Sequence, residues 1–317
     1  MYISMAFGAT ILIIVSYVSM GSALSMNRYD VSCPNVEAIV AKVVRDATSR
    51  DKTVPATLLR MHFHDCFIRG CDGSILLESR GGNKAERDAP PNKSLHAFYV
   101  IEGAKRAVEA VCPAVVSCAD ILAFAARDAV VLSGGPRWDV SKGRKDGRTS
   151  KASETSTLPS PLFNVSQLEK SFALRGLSPQ ELVALLGSHT LGFAHCSSFE
   201  KRIHNFNSTH DVDPTIRPSF ARALRGVCLL KNKAPNAGVA MDPSSTTFDT
   251  NHYKLILNRQ ALFASDQSLL TSPQTKALVY KFATSKRAFH TAFAKAMIKM
   301  SSLNGGQEIR KDCRFVN

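Results

Sequence analysis

The sequence predicts a mainly α fold with about ten helices and little β structure. Three observations lead there. Apolar residues recur at helical spacing in segment after segment, start signals precede several of these segments, and alternating strand patterns are nearly absent. In 35–47, Val36, Ile39, Val40, Val43, Val44 and Ala47 fall on one face. Pro55 stands near the start of a helix expected to reach Asp65, because proline is tolerated in a first turn. Ser117 followed by Asp120 resembles a cap for a helix carried by Ile121, Phe124, Ala125, Asp128 and Val131. Gly134-Gly135-Pro136 stops it. Ser178-Pro179-Gln180-Glu181 is a fuller start, a capping box with proline at the first helical position. Behind it, Leu182, Leu185, Leu186 and His189 share a face, so His189 is expected to emerge near the helix end from an apolar stripe. Phe289, Phe293, Met297 and Met300 mark another helix near the end. Irregular loops at 80–94, 141–163 and 231–250 are too long to be idle turns, so disulfides or ions are expected to hold some of them.

With 317 residues, 44% hydrophobic and 21% charged, the chain is an ordinary globular protein, long enough for one large domain or two coupled halves. Forty Lys and Arg against 26 acidic residues give a formal charge of +14. That charge favours polyanions, but the cations are scattered rather than clustered with aromatics, which argues against nucleic acid. Residues 1–23 are uncharged, with an apolar centre from Ala6 to Val18 and small residues Gly21-Ser22-Ala23 at a cleavage point. They read as a secretory signal peptide without the usual basic start, leaving 24–317 as one domain. A membrane anchor is the alternative; Ser16 interrupts the apolar run, which is short for a span, and no later segment approaches spanning length. Eight cysteines in a secreted chain point to four disulfides, with every pairing open. Zinc is the rival, but only Cys66 and Cys71 are close and no second close pair completes a site. Sequons stand at Asn92, Asn164 and Asn207.

The densest chemistry lies in "LLRMHFHDCFIRGCDGS", 58–74. Arg60 and His64, four apart, share a helical face with Phe63 beside them, while His62 points elsewhere. The fixed arginine charge favours a neutral imidazole, which can accept a proton while the guanidinium stabilises developing negative charge. The same charge makes direct zinc binding by His64 unfavourable. His189 taken alone is a core histidine or, presented from an apolar wall, an axial ligand for an iron porphyrin.

"LLRMHFHDCFIRGCDGSILL" and "LVALLGSHTLGFAHC" resemble the distal and proximal haem signatures of the secretory plant peroxidases, the class III haem peroxidases. The likeness covers the mature chain, including the order and spacing of the cysteines, "SCADILAFAARDAVVLSGGP" and "FASDQSLL". It implies a haem peroxidase fold with distal and proximal halves, haem b between them and two Ca²⁺ ions. It implies distal roles for Arg60, Phe63 and His64, with Asn92 accepting the His64 Nδ1 proton and Glu86 supporting Asn92. His189 is the implied iron ligand, Asp266 its carboxylate partner, and Pro159 a lining residue of the aromatic-donor entrance. The implied disulfides are Cys33–Cys112, Cys66–Cys71, Cys118–Cys313 and Cys196–Cys228.

For the distal calcium the resemblance implies Asp65, the carbonyls of Ile68 and Gly70, Asp72 and Ser74, hard oxygens of the kind Ca²⁺ takes. For the proximal calcium it implies Thr190, Asp242, Asp249 and Ser245. Two departures stand out. "DPSSTTFD" is one residue shorter than the common family spacing, so Ser244, Ser245 or a neighbouring carbonyl can complete that site. His96-Ala97 stand where the family usually has Arg-Gly. The implied activity is reduction of hydrogen peroxide with one-electron oxidation of small phenolic donors, in wall polymerisation or oxidative stress. A wall-associated haem protein with attenuated catalysis is the alternative. The expected product is a monomer secreted to the cell wall, carrying glycans at Asn164 and Asn207 and held by acidic polysaccharide, with neither nucleic acid nor a membrane span in the mature chain. The absence of an extension beyond Cys313 resembling a vacuolar signal favours export.

Overall fold

Helices begin at Cys118 and Pro179, directly after the start signals at Ser117 and Ser178. A computed structural model describes residues 24–230, 237–303 and 305–317, so the expected signal segment 1–23 lies outside the described residues, as does 231–236 of the third long loop. Among the described residues there are helices α1 (Val36–Arg50), α2 (Val54–Arg69), α3 (Phe98–Glu109), α4 (Cys118–Leu132), α5 (Val165–Ala173) and α6 (Pro179–Leu186). They are followed by α7 (Glu200–Ile203), α8 (Pro218–Val227), α9 (Asn251–Leu257), α10 (Ala264–Ser268), α11 (Pro273–Thr284) and α12 (Lys286–Met300). The surplus over the expected number lies in short helices such as α7 and α10, which offer too few turns to show a period. Among the described residues the one regular sheet is a ribbon of β1 (Phe193–His195) antiparallel to β2 (Gly238–Ala240).

In the first half, α4 packs against both α1 and α2, and α3 lies on α1. Every α4 residue from Cys118 to Val130 is buried, as expected of a helix apolar nearly all round. Its cap forms: Ser117 Oγ accepts the Asp120 N–H at 3.1 Å. The Asp120 carboxylate turns away from the cap and accepts from Tyr29 Oη (2.6 Å), Gly143 N (2.6 Å) and Arg144 Nη1 (2.8 Å). In the second half, α6 packs on α12 and α11 on α9. All four disulfides link the cysteines as the resemblance implied.

Two expectations gain physical detail. First, both arms of the α6 capping box form, but the helix ends at Leu186, and His189 sits on the 3₁₀ turn Gly187–Thr190 that follows. The backbone is tightly packed at this junction. A Cβ on Gly187 would meet Tyr253 Oη at 2.2 Å and the Phe289 ring at 2.4 Å, so α9 and α12 press directly on its backbone. Gly187→Ala should therefore cost about 1–3 kcal/mol, the usual range for overpacking, seen as a lower Tm with unchanged helix content. Second, loops 80–94 and 141–163 contain no cysteine. They hold each other: Ala152 N donates to Lys84 O (2.7 Å), Glu86 N to Ser150 Oγ (2.9 Å) and Asn83 Nδ2 to Ser150 O (2.9 Å).

Candidate active site

Helix α2 brings the distal groups together. Arg60 and His64 both reach the segment just after the 80s loop, which establishes their shared face. Arg60 donates from Nη2 to Pro91 O at 2.7 Å and from Nη1 to Ser94 Oγ at 2.8 Å. His64 Nδ1 lies 2.5 Å from Asn92 Oδ1, and Asn92 Nδ2 donates to the Glu86 carbonyl at 2.8 Å. That second bond orients the amide with its oxygen toward His64, so His64 carries its proton on Nδ1 and its Nε2 is the basic atom. Glu86 thus supports Asn92 through its backbone, while its side chain accepts from Ser74 Oγ (3.2 Å). Phe63 packs on Phe67 with ring centroids 4.2 Å apart. His62 leaves the group, and its Nε2 meets Ser301 Oγ at 2.8 Å.

Burial, and then the Arg60 charge, push the His64 pKa down to about 3. Arg60 is also lowered by burial, to about 10, and stays cationic at neutral pH. A rate that depends on His64 as a base should hold steady below neutrality and fall only as pH approaches about 3. A stopped-flow pH series checks this; a fall centred at the ordinary histidine value of 6.5 contradicts it. The stability sign follows by linkage. Between these two values the unfolded chain binds the proton that folded His64 refuses, so its contribution weakens as pH drops through the window.

On the proximal side, His189 Nδ1 lies 3.0 Å and 3.2 Å from the two oxygens of buried Asp266. With Nδ1 engaged, Nε2 is the atom left for a metal, and the His189 side chain is 31% exposed. Asp266 is held well below the usual carboxylate range by His189 and His252, against the upward pull of its burial. Ser265 N donates to Pro161 O at 3.0 Å, which ties the Pro159–Pro161 segment to α10 and so to Asp266.

Two acidic clusters flank these groups. Asp65, next to His64, accepts from Gly73 N (2.9 Å), and Asp72 accepts from Ser74 N (3.0 Å). Glu86 Oε1 is buried without a hydrogen-bond partner. Burial and mutual repulsion raise Asp65 well above its ordinary value and take Glu86 to about 8; burial raises Asp72 as well. Buried carboxylates that repel one another, one with an orphan oxygen, suit a hard divalent cation. The second cluster is assembled by the ribbon, whose register sets Phe193 opposite Ala240 and brings Thr190 to the acids beyond β2. Thr190 Oγ1 donates to Asp242 (2.7 Å) and lies 3.1 Å from Asp249. In the loop after Asp242 it is Ser244 whose hydroxyl reaches Asp242, at 3.1 Å, whereas the Ser245 carbonyl accepts Gly192 N–H at 2.8 Å.

His96 folds onto the start of α2, with Nε2 2.9 Å from Thr53 Oγ1 and Nδ1 3.0 Å from Thr57 Oγ1. Ala97 adopts φ 64°, a left-handed conformation that favours glycine. Two groups went unread in the sequence. Ser94 carries no local pattern that announces a partner for Arg60. His252 sits on α9, and only its position three residues after Asp249 hints that it faces the proximal site.

A family model described as peroxidase matches residues 40–285. Peroxidase 64 of Arabidopsis thaliana is 61% identical over 295 residues, covering 93% of each chain. Peroxidase 66 of the same plant is 52% identical over 299 residues, again covering 93% of each. Peroxidase 5 of Vitis vinifera is 47% identical over 308 residues, covering 95% of this chain and 93% of that protein.

Proposed function

The chain belongs to the plant class III peroxidases and is a haem peroxidase, and from that premise we propose that His64 and Arg60 cleave hydrogen peroxide while small phenols serve as electron donors. The observation that carries this reading is the bond from His64 Nδ1 to Asn92 beside the Arg60 guanidinium, which leaves Nε2 as an unprotonated base.

Haem b fits the donor set. His189 would hold the haem iron through Nε2, and all eight cysteines are in disulfides, so none is free for a thioether to the porphyrin. Bound haem supplies the redox chemistry: two electrons to peroxide, recovered one at a time from two donor molecules. The protein handles protons and charge. His64 Nε2 accepts a proton from one peroxide oxygen and returns it to the other, which departs as water. Arg60 offsets the negative charge that builds as the O–O bond breaks. Asp266 accepts from His189 Nδ1 and raises the basicity of the ligand nitrogen. Each phenol gives one electron and one proton, so the second oxygen also ends as water. Pro159 lines the donor approach.

Calcium is assigned to Asp65, Asp72, Ser74 and the carbonyls of Ile68 and Gly70 on the distal side. On the proximal side it is assigned to Thr190, Asp242 and Asp249, with the Ser244 hydroxyl better placed than Ser245 to complete the set. Among the described residues no helix is long and apolar enough to cross a membrane. The reading places the mature monomer at the cell wall, glycosylated at exposed Asn164 and Asn207 rather than at buried Asn92. Retention there is electrostatic, through the +14 charge on acidic polysaccharide. It should release from pectin as salt rises, since screening weakens surface attraction; retention unchanged at high salt contradicts that.

A chromogenic phenol supplied with peroxide tests the function. Rapid turnover at full haem content supports it, and negligible turnover at full haem content favours the attenuated wall protein.

A further inference from the structure

Asp266 does not serve His189 alone. Helix α9 places a second histidine, His252, with Nε2 at 3.6 Å from Asp266 Oδ1. The two imidazoles meet edge to face, with centroids 5.5 Å apart and planes at 80°. Their roles differ by access: the His189 side chain is 31% exposed and that of His252 only 2%. His189 can therefore present a nitrogen to a ligand, whereas His252 is enclosed. Yet His252 Nε2 has no hydrogen-bond partner among the described residues. Buried polar atoms in folded proteins nearly always have one, so an unpartnered ring nitrogen beside a carboxylate calls for a reason.

The local chemistry supplies it. If Nε2 lacked a proton, its lone pair would face a carboxylate oxygen and repel it. The Nε2–H tautomer instead directs a donor at Asp266, and a few tenths of an ångström of closure would bring 3.6 Å into hydrogen-bonding range. We propose that His252 is a positioning residue for the proximal site, a second donor that shares the Asp266 carboxylate and limits how strongly it draws the Nδ1 proton from His189. The inference rests on the reading of His189 as the iron ligand. A carboxylate divided between two donors gives the ligand imidazole less anionic character, and the iron is then easier to reduce.

The test uses the haem-loaded protein and does not depend on turnover. The ferric–ferrous midpoint potential and the iron–imidazole stretching band of the ferrous form are measured for the parent, His252→Phe and His252→Gln. His252→Phe removes the donor but keeps an aromatic ring; His252→Gln keeps an N–H. The expected result is a lower potential and a higher stretching frequency in His252→Phe, with His252→Gln near the parent. Values that move equally in both variants, or in neither, overturn the inference and leave His189 as ligand. If His252→Phe fails to load haem, His252→Leu replaces it under the same criteria. An iron–imidazole band absent from the parent, or unchanged in His189→Ala, overturns the ligand reading itself.

Discussion

Replacing His64 by alanine should slow peroxide cleavage by about two to four orders of magnitude at unchanged haem content, the usual worth of a positioned acid–base group. Haem content should hold because His189 and Asp266 lie on other elements, the turn after α6 and α10. Arg60 should also stay in place, since Pro91 O and Ser94 Oγ hold it without help from His64. The residual rate then reports what a fixed cation does without a base. Asn92→Ala should fall between His64→Ala and the parent. It keeps the imidazole but removes the acceptor that selects the Nδ1–H tautomer, so only part of the population offers Nε2 as a base. Stopped-flow mixing with peroxide, normalised to haem, gives all three values.

Removal of calcium should destabilise the protein by about 3 kcal/mol when the free ion would otherwise stand at a hundred times its dissociation constant. The loss should be larger at pH 8 than at pH 5. The sign follows from the distal carboxylates. Without the ion, repulsion and burial raise Glu86 from its ordinary 4.5 to about 8, and they raise Asp65 as well. Groups raised in the folded state favour folding while protonated. That contribution is intact below their unfolded values and is lost as pH climbs through the folded ones. Chelated protein therefore weakens toward alkaline pH, where the ion-bound form keeps its carboxylates charged and coordinated. Calorimetry with and without chelator at the two pH values checks this, and a larger loss at pH 5 contradicts it. Peroxide cleavage should decline alongside stability, because Asp65 is the residue next to His64 on α2.

The sequence carried the distal site almost whole, for a physical reason. Arg60, Phe63, His64, Asp65 and Asp72 are packed into one helix and the turn after it, where local spacing fixes relative direction. Helix starts were legible at Ser117 and Ser178 because a cap is a contact between residues three apart. Long-range packing was not. Nothing near His189 announces that Tyr253 and Phe289 press on Gly187, where α6 gives way to a 3₁₀ turn. Nor does the neighbourhood of Glu86 disclose that its carbonyl serves Asn92 while its carboxylate belongs to the acidic cluster. His252 was missed on the same ground: its partner lies fourteen residues away on another helix, and only the fold brings them together. The two loops that hold each other show the converse, since neither carries a cysteine to advertise the contact.

The central claim is that His64 and Arg60 act on peroxide as one unit beside a haem held by His189. The most direct measurement is the haem-normalised rate of peroxide cleavage in His64→Ala, Arg60→Leu and the double variant. The account predicts a severe loss in each single variant and a double variant only slightly slower than the worse of them, because groups that serve one transition state do not contribute additively. A His64→Ala rate near that of the parent, or losses that simply multiply in the double variant, would contradict it.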